Sequence, residues 1–276
     1  MPSTYHNHSN YSDGKSSILE MVSFAQKNDI DVLGVSDHLC ILPTGKTSGI
    51  SMPVDALDKY VQEIDSFKKL LRPEIRIGVE VDWFHGQGDV IRNVIDPFPF
   101  DYRIGGVHYV QENEIDKSAR YWKSKTQHER DHLYRLYWKC IKDMSESGLF
   151  DIVAHLDLPK KFGFYPQADM TRSIKEVLLS ISRNNLVVEY NTAGFGKPCA
   201  DGYPSIEILK MCRKLDIPAT LSADAHIPQH LLFAFDRGIH RLMTAGYTEI
   251  ARFKNREIYF EPLTRAQSGM CDEASV

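Results

Sequence analysis

Two histidines two residues apart, His6 and His8, open the chain in the stretch Tyr5-His6-Asn7-His8-Ser9-Asn10-Tyr11-Ser12-Asp13-Gly14. On an extended segment over residues 4–8 the side chains alternate, so both imidazoles face one side and can grip one metal ion. Partners recur along the chain: Asp37-His38, Glu80 with Asp82, His108, His155, Glu189 with Asn191, and Asp224 with His226. A buried structural histidine or carboxylate would account for any one of these alone. Their regular recurrence points to a shared metal centre. Nitrogen and oxygen donors without cysteine suit Zn, Mn or Fe. More donors than four suggest two or more ions, and paired ions about 3.5–4 Å apart bind phosphate and activate a bridging water.

The elements that must position these groups follow from periodicity. Buried-type strands are expected over residues 4–8, 31–36, 75–81, 102–108, 151–154, 186–190 and 219–222. Amphipathic helices are expected over residues 17–28, 53–71, 88–95, 126–147, 168–184, 205–215 and 229–245. Residues 111–125 read as a polar excursion or lid, and residues 252–262 as a short final strand. Seven strands alternating with helices imply a parallel sheet. The expected fold is α/β, a TIM-like (β/α)7 barrel in one domain spanning residues 1–265, with a flexible tail over 266–276. An open doubly wound sheet is the runner-up. In a parallel barrel the C-terminal strand ends converge on one mouth, and each of the seven strands delivers a ligand-type residue there.

Composition narrows the function. The 276 residues carry a net charge of −4, which provides no basic field for nucleic acid and no polybasic membrane patch. No apolar run approaches the ~20 residues of a membrane span. No signal peptide is read at the N-terminus. Five scattered cysteines without a C-x-x-C spacing favour reduced thiols and a cytoplasmic location. His128, His132, His230 and His240 fall on helices and read as surface or structural residues. His85 follows the third strand and is expected near the mouth.

The pattern His6-x-His8, Ser12-Asp13-Gly14, Ser36-Asp37-His38, Gly78-Val-Glu80, Gly106-Val-His108, Ala154-His155-Leu-Asp157 and Asp224-Ala-His226 resembles the polymerase and histidinol phosphatase (PHP) superfamily. Gly78-Val-Glu-Val-Asp82, Glu189-Tyr-Asn-Thr-Ala-Gly194, Lys197-Pro198 and Tyr203-Pro204 resemble its histidinol-phosphate phosphatase branch. Asn7 stands where Thr is common, and Gly106 where Ser often precedes Val-His; neither change removes a ligand. The resemblance implies a distorted barrel and three divalent ions. It assigns His6, His8, Glu80 and Asp224 to the first ion. Glu80, His108 and His155 go to the second, and Asp13, His38 and His226 to the third.

The implied activity is hydrolysis of L-histidinol phosphate in histidine biosynthesis, by a hydroxide held between metals that share Glu80. Asp224 and His226 are candidates for proton transfer as well as ligands. A phosphate monoester dianion calls for cations at the mouth, and Lys161 and Lys197 follow strands five and six. Asp82, Trp83, Glu189 and Asn191 are candidates to wall the substrate's ammonium and imidazole, Glu189 alternatively serving as a partner to a ligand histidine. A phosphoesterase acting on nucleotides or another small monoester is the alternative, and a non-catalytic metal-binding scaffold a weaker one.

Overall fold

The computed structural model describes residues 2–45 and 48–264. In chain order the elements begin with β1 (Ser3–Thr4), α1 (Ile18–Lys27), β2 (Val32–Val35), β3 (His38–Leu39), α2 (Leu57–Ser66), β4 (Glu74–Asp82), α3 (Gly88–Ile95) and β5 (Tyr102–Gly106). Next come β6 (Tyr109–Val110), β7 (Asn113–Glu114), α4 (Ala119–Lys123), α5 (Gln127–Ser145), β8 (Ile152–Val153), α6 (Thr171–Arg183) and β9 (Val187–Asn191). The remainder is α7 (Ile206–Lys214), β10 (Ala219–Ser222), α8 (Phe235–Ala245), β11 (Glu249–Lys254) and β12 (Glu257–Pro262).

The main sheet runs β1-β2-β4-β5-β8-β9-β10, with β3 added beside β4, and every pairing in it is parallel. It closes through a parallel bridge between Asn7 and Ala225, where His8 N donates to Ala225 O at 2.8 Å. The result is a nearly closed seven-stranded barrel, so the open-sheet alternative is set aside. Closure falls between the two histidine-bearing segments, which ties the first and last strand ends together at the mouth. Among the described residues no helix is long and apolar enough to cross a membrane.

Helices form where caps and stripes agree. Ser17 and Thr126 both make capping boxes, with Glu20 and Glu129 reaching back to the cap amide. Val32, Leu33, Gly34 and Val35 of β2 are all buried, as a strand covered on both faces requires.

Several boundaries differ from expectation. The ladder of β1 ends at Thr4, and residues 6–8 continue through the bridge to Ala225 and a hydrogen bond from Ser36 N to Asn7 O. β5 stops at Gly106, before His108. The helix expected over 53–71 is α over Leu57–Ser66 only, with 3-10 turns at Val54–Ala56 and Phe67–Lys69. The helix expected from 229 starts at Phe235, because Ala234 adopts a left-handed conformation (φ 53°). Residues 252–262 form most of a hairpin rather than one strand. Asn255 and Arg256 both have positive φ, 51° and 63°, the signature of a tight two-residue turn. The excursion over 111–125 carries β7, the second strand of a hairpin begun by β6, and α4. The expected tail lies outside the described residues.

The β11–β12 hairpin seals the barrel end opposite the mouth. Phe253 meets Tyr5 edge-on at 5.8 Å, Tyr5 meets Tyr102 at 5.1 Å, and all three are buried. Arg76 Nε donates to Phe253 O at 2.9 Å. Asn255 N donates to Asp101, just before β5, and Arg256 pairs with Asp151, just before β8. The hairpin therefore sits at the N-terminal ends of the strands, and the C-terminal ends stay open.

Candidate metal centre

All nine sequence-predicted ligands converge at that open end. His6, His8 and Asp13 follow β1. His38 opens β3 and stands beside Glu80 of β4 in register. His108, His155 and the Asp224–His226 pair follow β5, β8 and β10. Glu80 is at the centre. Its Oε2 lies 3.0 Å from His6 Nε2, 2.8 Å from His38 Nδ1 and 3.6 Å from His8 Nε2. Its Oε1 lies 3.0 Å from His155 Nε2 and 3.7 Å from His108 Nε2. The two oxygens of one carboxylate thus face two different histidine sets, the arrangement that a bridging ligand requires. A Cβ on residue 106 would lie 2.8 Å from Glu80 Oε1, so glycine there leaves room for the carboxylate.

Asp224 Oδ1 lies 3.1 Å from His8 Nε2 and 3.7 Å from His6 Nε2. On the far side, Asp13 Oδ2 lies 3.2 Å from His226 Nε2, and Asp13 Oδ1 lies 3.8 Å from His38 Nε2. His8 stacks against both His38 (4.3 Å) and His226 (4.4 Å). Donor atoms gather within ion-binding reach in four overlapping groups: His8, Asp13, His38 and His226; His6, Glu80 and His155; His6, His8 and Asp224; His38, Asp82 and His108.

These residues fit metal ions. Buried donor atoms without a hydrogen-bond partner concentrate here: His6 Nε2, His8 Nε2, Asp13 Oδ1, His38 Nδ1 and Glu80 Oε2. Orphaned polar atoms are costly in a protein interior, and facing one another they form a ready donor cage. Electrostatics agree. Burial holds His8 down to about 3, and the charges of His38 and His226 add to this, so the ring is neutral and one nitrogen keeps a lone pair for an ion. Burial pushes Glu80 up, but His6, His38 and His108 outweigh it and hold the carboxylate well below its ordinary range. Burial pulls His6 down, but Glu189, Glu80 and Asp224 raise it well above its ordinary value. Two ligand backbones are strained. His155 has φ 23° and Asp224 φ 52°, conformations that cost about 1–3 kcal/mol each in non-glycine residues.

The ligand histidines are oriented from behind. Glu189 Oε1 lies 2.8 Å from His6 Nδ1, and Glu189 Oε2 accepts from the His155 amide at 2.9 Å. Glu189 thus contacts two of the predicted ligands, His6 and His155. Asp82 Oδ1 lies 2.8 Å from His108 Nδ1 and accepts from His108 N at 3.2 Å. The Asp82 carboxylate is directed at this histidine. The period-two spacing from Glu80 already placed Asp82 on the same face of the strand.

The expected substrate residues fare unevenly. His85 is 84% exposed, and its Nδ1 pairs with Asp143 Oδ2 of α5 at 2.7 Å; Trp83 Nε1 donates to the same carboxylate. The turn after β4 sends both outward to the helix layer. Asn191 is fully buried, and its amide donates to Glu189 and Asp224 while its oxygen accepts from Ala193 N. It braces the ligands. Lys161 pairs with Asp116 at 3.2 Å. Burial raises the Asp116 carboxyl, but His108, Lys161 and His155 outweigh it, so this ion pair borders the cluster. Asp116 belongs to the excursion and had no periodic signal to mark it. Lys197 is exposed. Burial, then the charges of Lys197, His226 and Lys15, lower His230.

Residues 4–193 match the PHP domain family. The chain belongs to that family. It is 30% identical over 225 residues to a probable histidinol-phosphatase of Deinococcus radiodurans, covering 81% of this chain and 85% of that protein. It is 22% identical over 262 residues to the histidinol-phosphatase of Lactococcus lactis, covering 92% and 95%. Its fold matches the crystal structure of the Lactococcus lactis histidinol phosphate phosphatase complexed with zinc, L-histidinol and phosphate. That match has a TM-score of 0.79 at 22% identity and covers 94% of this chain and 98% of that one. A putative histidinol phosphatase from Listeria monocytogenes matches with a TM-score of 0.75 at 22% identity, covering 85% and 99%.

Proposed function

We propose that this PHP-family barrel is a metal-dependent phosphatase that hydrolyses L-histidinol phosphate to L-histidinol and inorganic phosphate in the cytoplasm. The observation that carries the reading is the placement of Glu80, whose two oxygens each face a separate histidine set. Relatives named histidinol-phosphatase that align along most of the chain supply the substrate.

On this reading three divalent ions, Zn, Mn or Fe, are held by the chain. His6, His8, Glu80 and Asp224 hold the first, Glu80, His108 and His155 the second, and Asp13, His38 and His226 the third. When bound, such ions neutralise phosphoryl oxygens and lower the pKa of water. The chain does the rest. Glu189 and Asp82 fix the ring orientation of His6 and His108. Lys161, paired with Asp116, and exposed Lys197 are the cations this reading assigns to attracting the phosphate dianion. Hydrolysis breaks the P–O bond to the primary alcohol, and the leaving oxygen takes a proton. Asp224 and His226, with side chains 21% and 34% exposed, are the candidates on this reading to hold it. The four described cysteines are free thiols, in keeping with a cytoplasmic setting.

Chelator-stripped protein tests the reading. Adding back Zn, Mn or Fe should restore equimolar release of histidinol and phosphate. No phosphate under any of these metals would overturn it in favour of a metal-binding scaffold.

A further inference from the structure

Asp37 sits among the ligands yet offers nothing to an ion. It is fully buried, and four donors occupy its carboxylate. Ser9 N and Ser12 N donate to Oδ1 at 2.8 and 3.1 Å, Ser12 Oγ to Oδ1 at 2.6 Å, and Ser9 Oγ to Oδ2 at 2.7 Å. All four come from one turn, and the next residue in that turn is Asp13. The main chain of Asp37 is equally committed. Its N–H donates to Tyr60 Oη, which donates to Gly78 O, and its carbonyl accepts from the amide of Glu80 at 3.2 Å. His38 follows directly in sequence.

We propose that Asp37 is the positioning residue of the Asp13–His38–His226 ion, a role that rests on the ligand reading above. The turn carrying Asp13 lies at the rim, and Asp13 itself is 30% exposed. Tyr11 anchors the outer side of the turn, edge-on to Tyr60 at 5.3 Å and donating to Glu63, but it leaves the Ser9 and Ser12 amides and hydroxyls to Asp37. The buried carboxylate supplies one fixed point for the Ser9–Ser12 turn, and its backbone links that point to His38 and Glu80. The turn is also pressed against the His8 strand end, where a Cβ on residue 14 would lie 2.2 Å from His8 O. Asp13 is thereby set 3.2 Å from His226 without being free to swing into solvent.

The test is metal content and metal affinity of full-length protein, measured by elemental analysis and chelator competition. The variants are Asp37→Ala, Asp37→Asn, Ser12→Ala and Asp13→Ala. Asp37→Ala should weaken one ion about 10–100-fold, the range for loss of an outer partner, and leave the others at wild-type affinity. Asp37→Asn, which keeps the shape and one acceptor oxygen, should recover much of that loss, and Ser12→Ala should lose less than Asp37→Ala. Excess metal should restore activity to Asp37→Ala but not fully to Asp13→Ala, which lacks a ligand. If Asp13→Ala loses one ion while Asp37→Ala keeps all at wild-type affinity, the positioning role is wrong. Equal weakening of every ion in Asp37→Ala would also overturn it, since a merely structural carboxylate would act that way. Should Asp37→Ala fail to fold, the same two outcomes are read from Asp37→Asn and Ser12→Ala. If Asp13→Ala itself keeps every ion, the ligand reading fails instead.

Discussion

Glu189 Oε1 lies 2.8 Å from His6 Nδ1, and neither side chain is exposed to solvent. The contact turns His6 Nε2 toward Glu80 and fixes which nitrogen is left to act as a ligand. Glu189→Gln should fold normally and bind metal about 10–100-fold more weakly, as loss of an outer carboxylate does. Glu189→Ala should be worse, because the buried His155 amide then loses its acceptor. Chelator competition measures both. Wild-type affinity in Glu189→Gln would show that the contact does no more than fill space.

Removing the central carboxylate should differ in kind from removing a rim one. Glu80→Ala strips a residue facing both histidine sets and should disrupt two metal positions. Asp13→Ala should affect one, the position nearest His226. Elemental analysis of both variants decides. Full metal content in both would contradict the ligand assignment.

Metal-stripped protein should lose stability as pH rises, and loaded protein much less so. Without ions, burial lowers His108 and His226, but carboxylates dominate. Asp82 and Glu80 raise His108 to about 10, and Asp13 and Asp224 raise His226 to about 9. A raised histidine contributes stability that is complete below its ordinary value, near 6.5, and lost as pH climbs through about 9 and 10. Metal binding must displace these protons, so affinity should increase over the same window. Thermal unfolding of stripped and loaded protein at pH 6 and pH 9 checks this. A stripped protein equally stable at both would contradict it.

His85→Ala should leave turnover and KM near wild type. The side chain is 84% exposed and pairs with Asp143 of the outer helix layer, where surface ion pairs contribute about 0–1 kcal/mol. Steady-state kinetics test this, and a large rise in KM would return His85 to the mouth.

The barrel floor can be weakened without touching the mouth. Phe253 is 2% exposed against Tyr5 and Tyr102, so Phe253→Ala should cost about 3–5 kcal/mol. Denaturant unfolding measures the loss, and metal stoichiometry of the folded fraction should stay unchanged.

The convergence of the candidate ligands was legible because strand periodicity and strand-end placement coincide: Glu80, His155 and Asp224 each stand near where a buried strand runs out. Asp82 and Asn191 were visible as residues but not as braces, since their partners His108, Glu189 and Asp224 meet them only after the barrel closes. The pairing of His85 with Asp143 was not visible in the sequence because the two lie 58 residues apart. Asp116 escaped notice because its excursion follows neither helical nor strand periodicity. The closing hairpin was half seen: residues 249–251 follow α8 too closely to stand out as a strand, and the Asn255–Arg256 turn lacks glycine.

The most direct test of the central claim is the ratio of kcat/KM for L-histidinol phosphate to that for a nucleoside monophosphate, measured on metal-loaded protein. A histidinol-phosphate phosphatase should favour histidinol phosphate by at least about tenfold, equivalent to 1.4 kcal/mol of transition-state discrimination. Faster turnover of the nucleotide would contradict the account and assign this barrel to a different phosphate monoester.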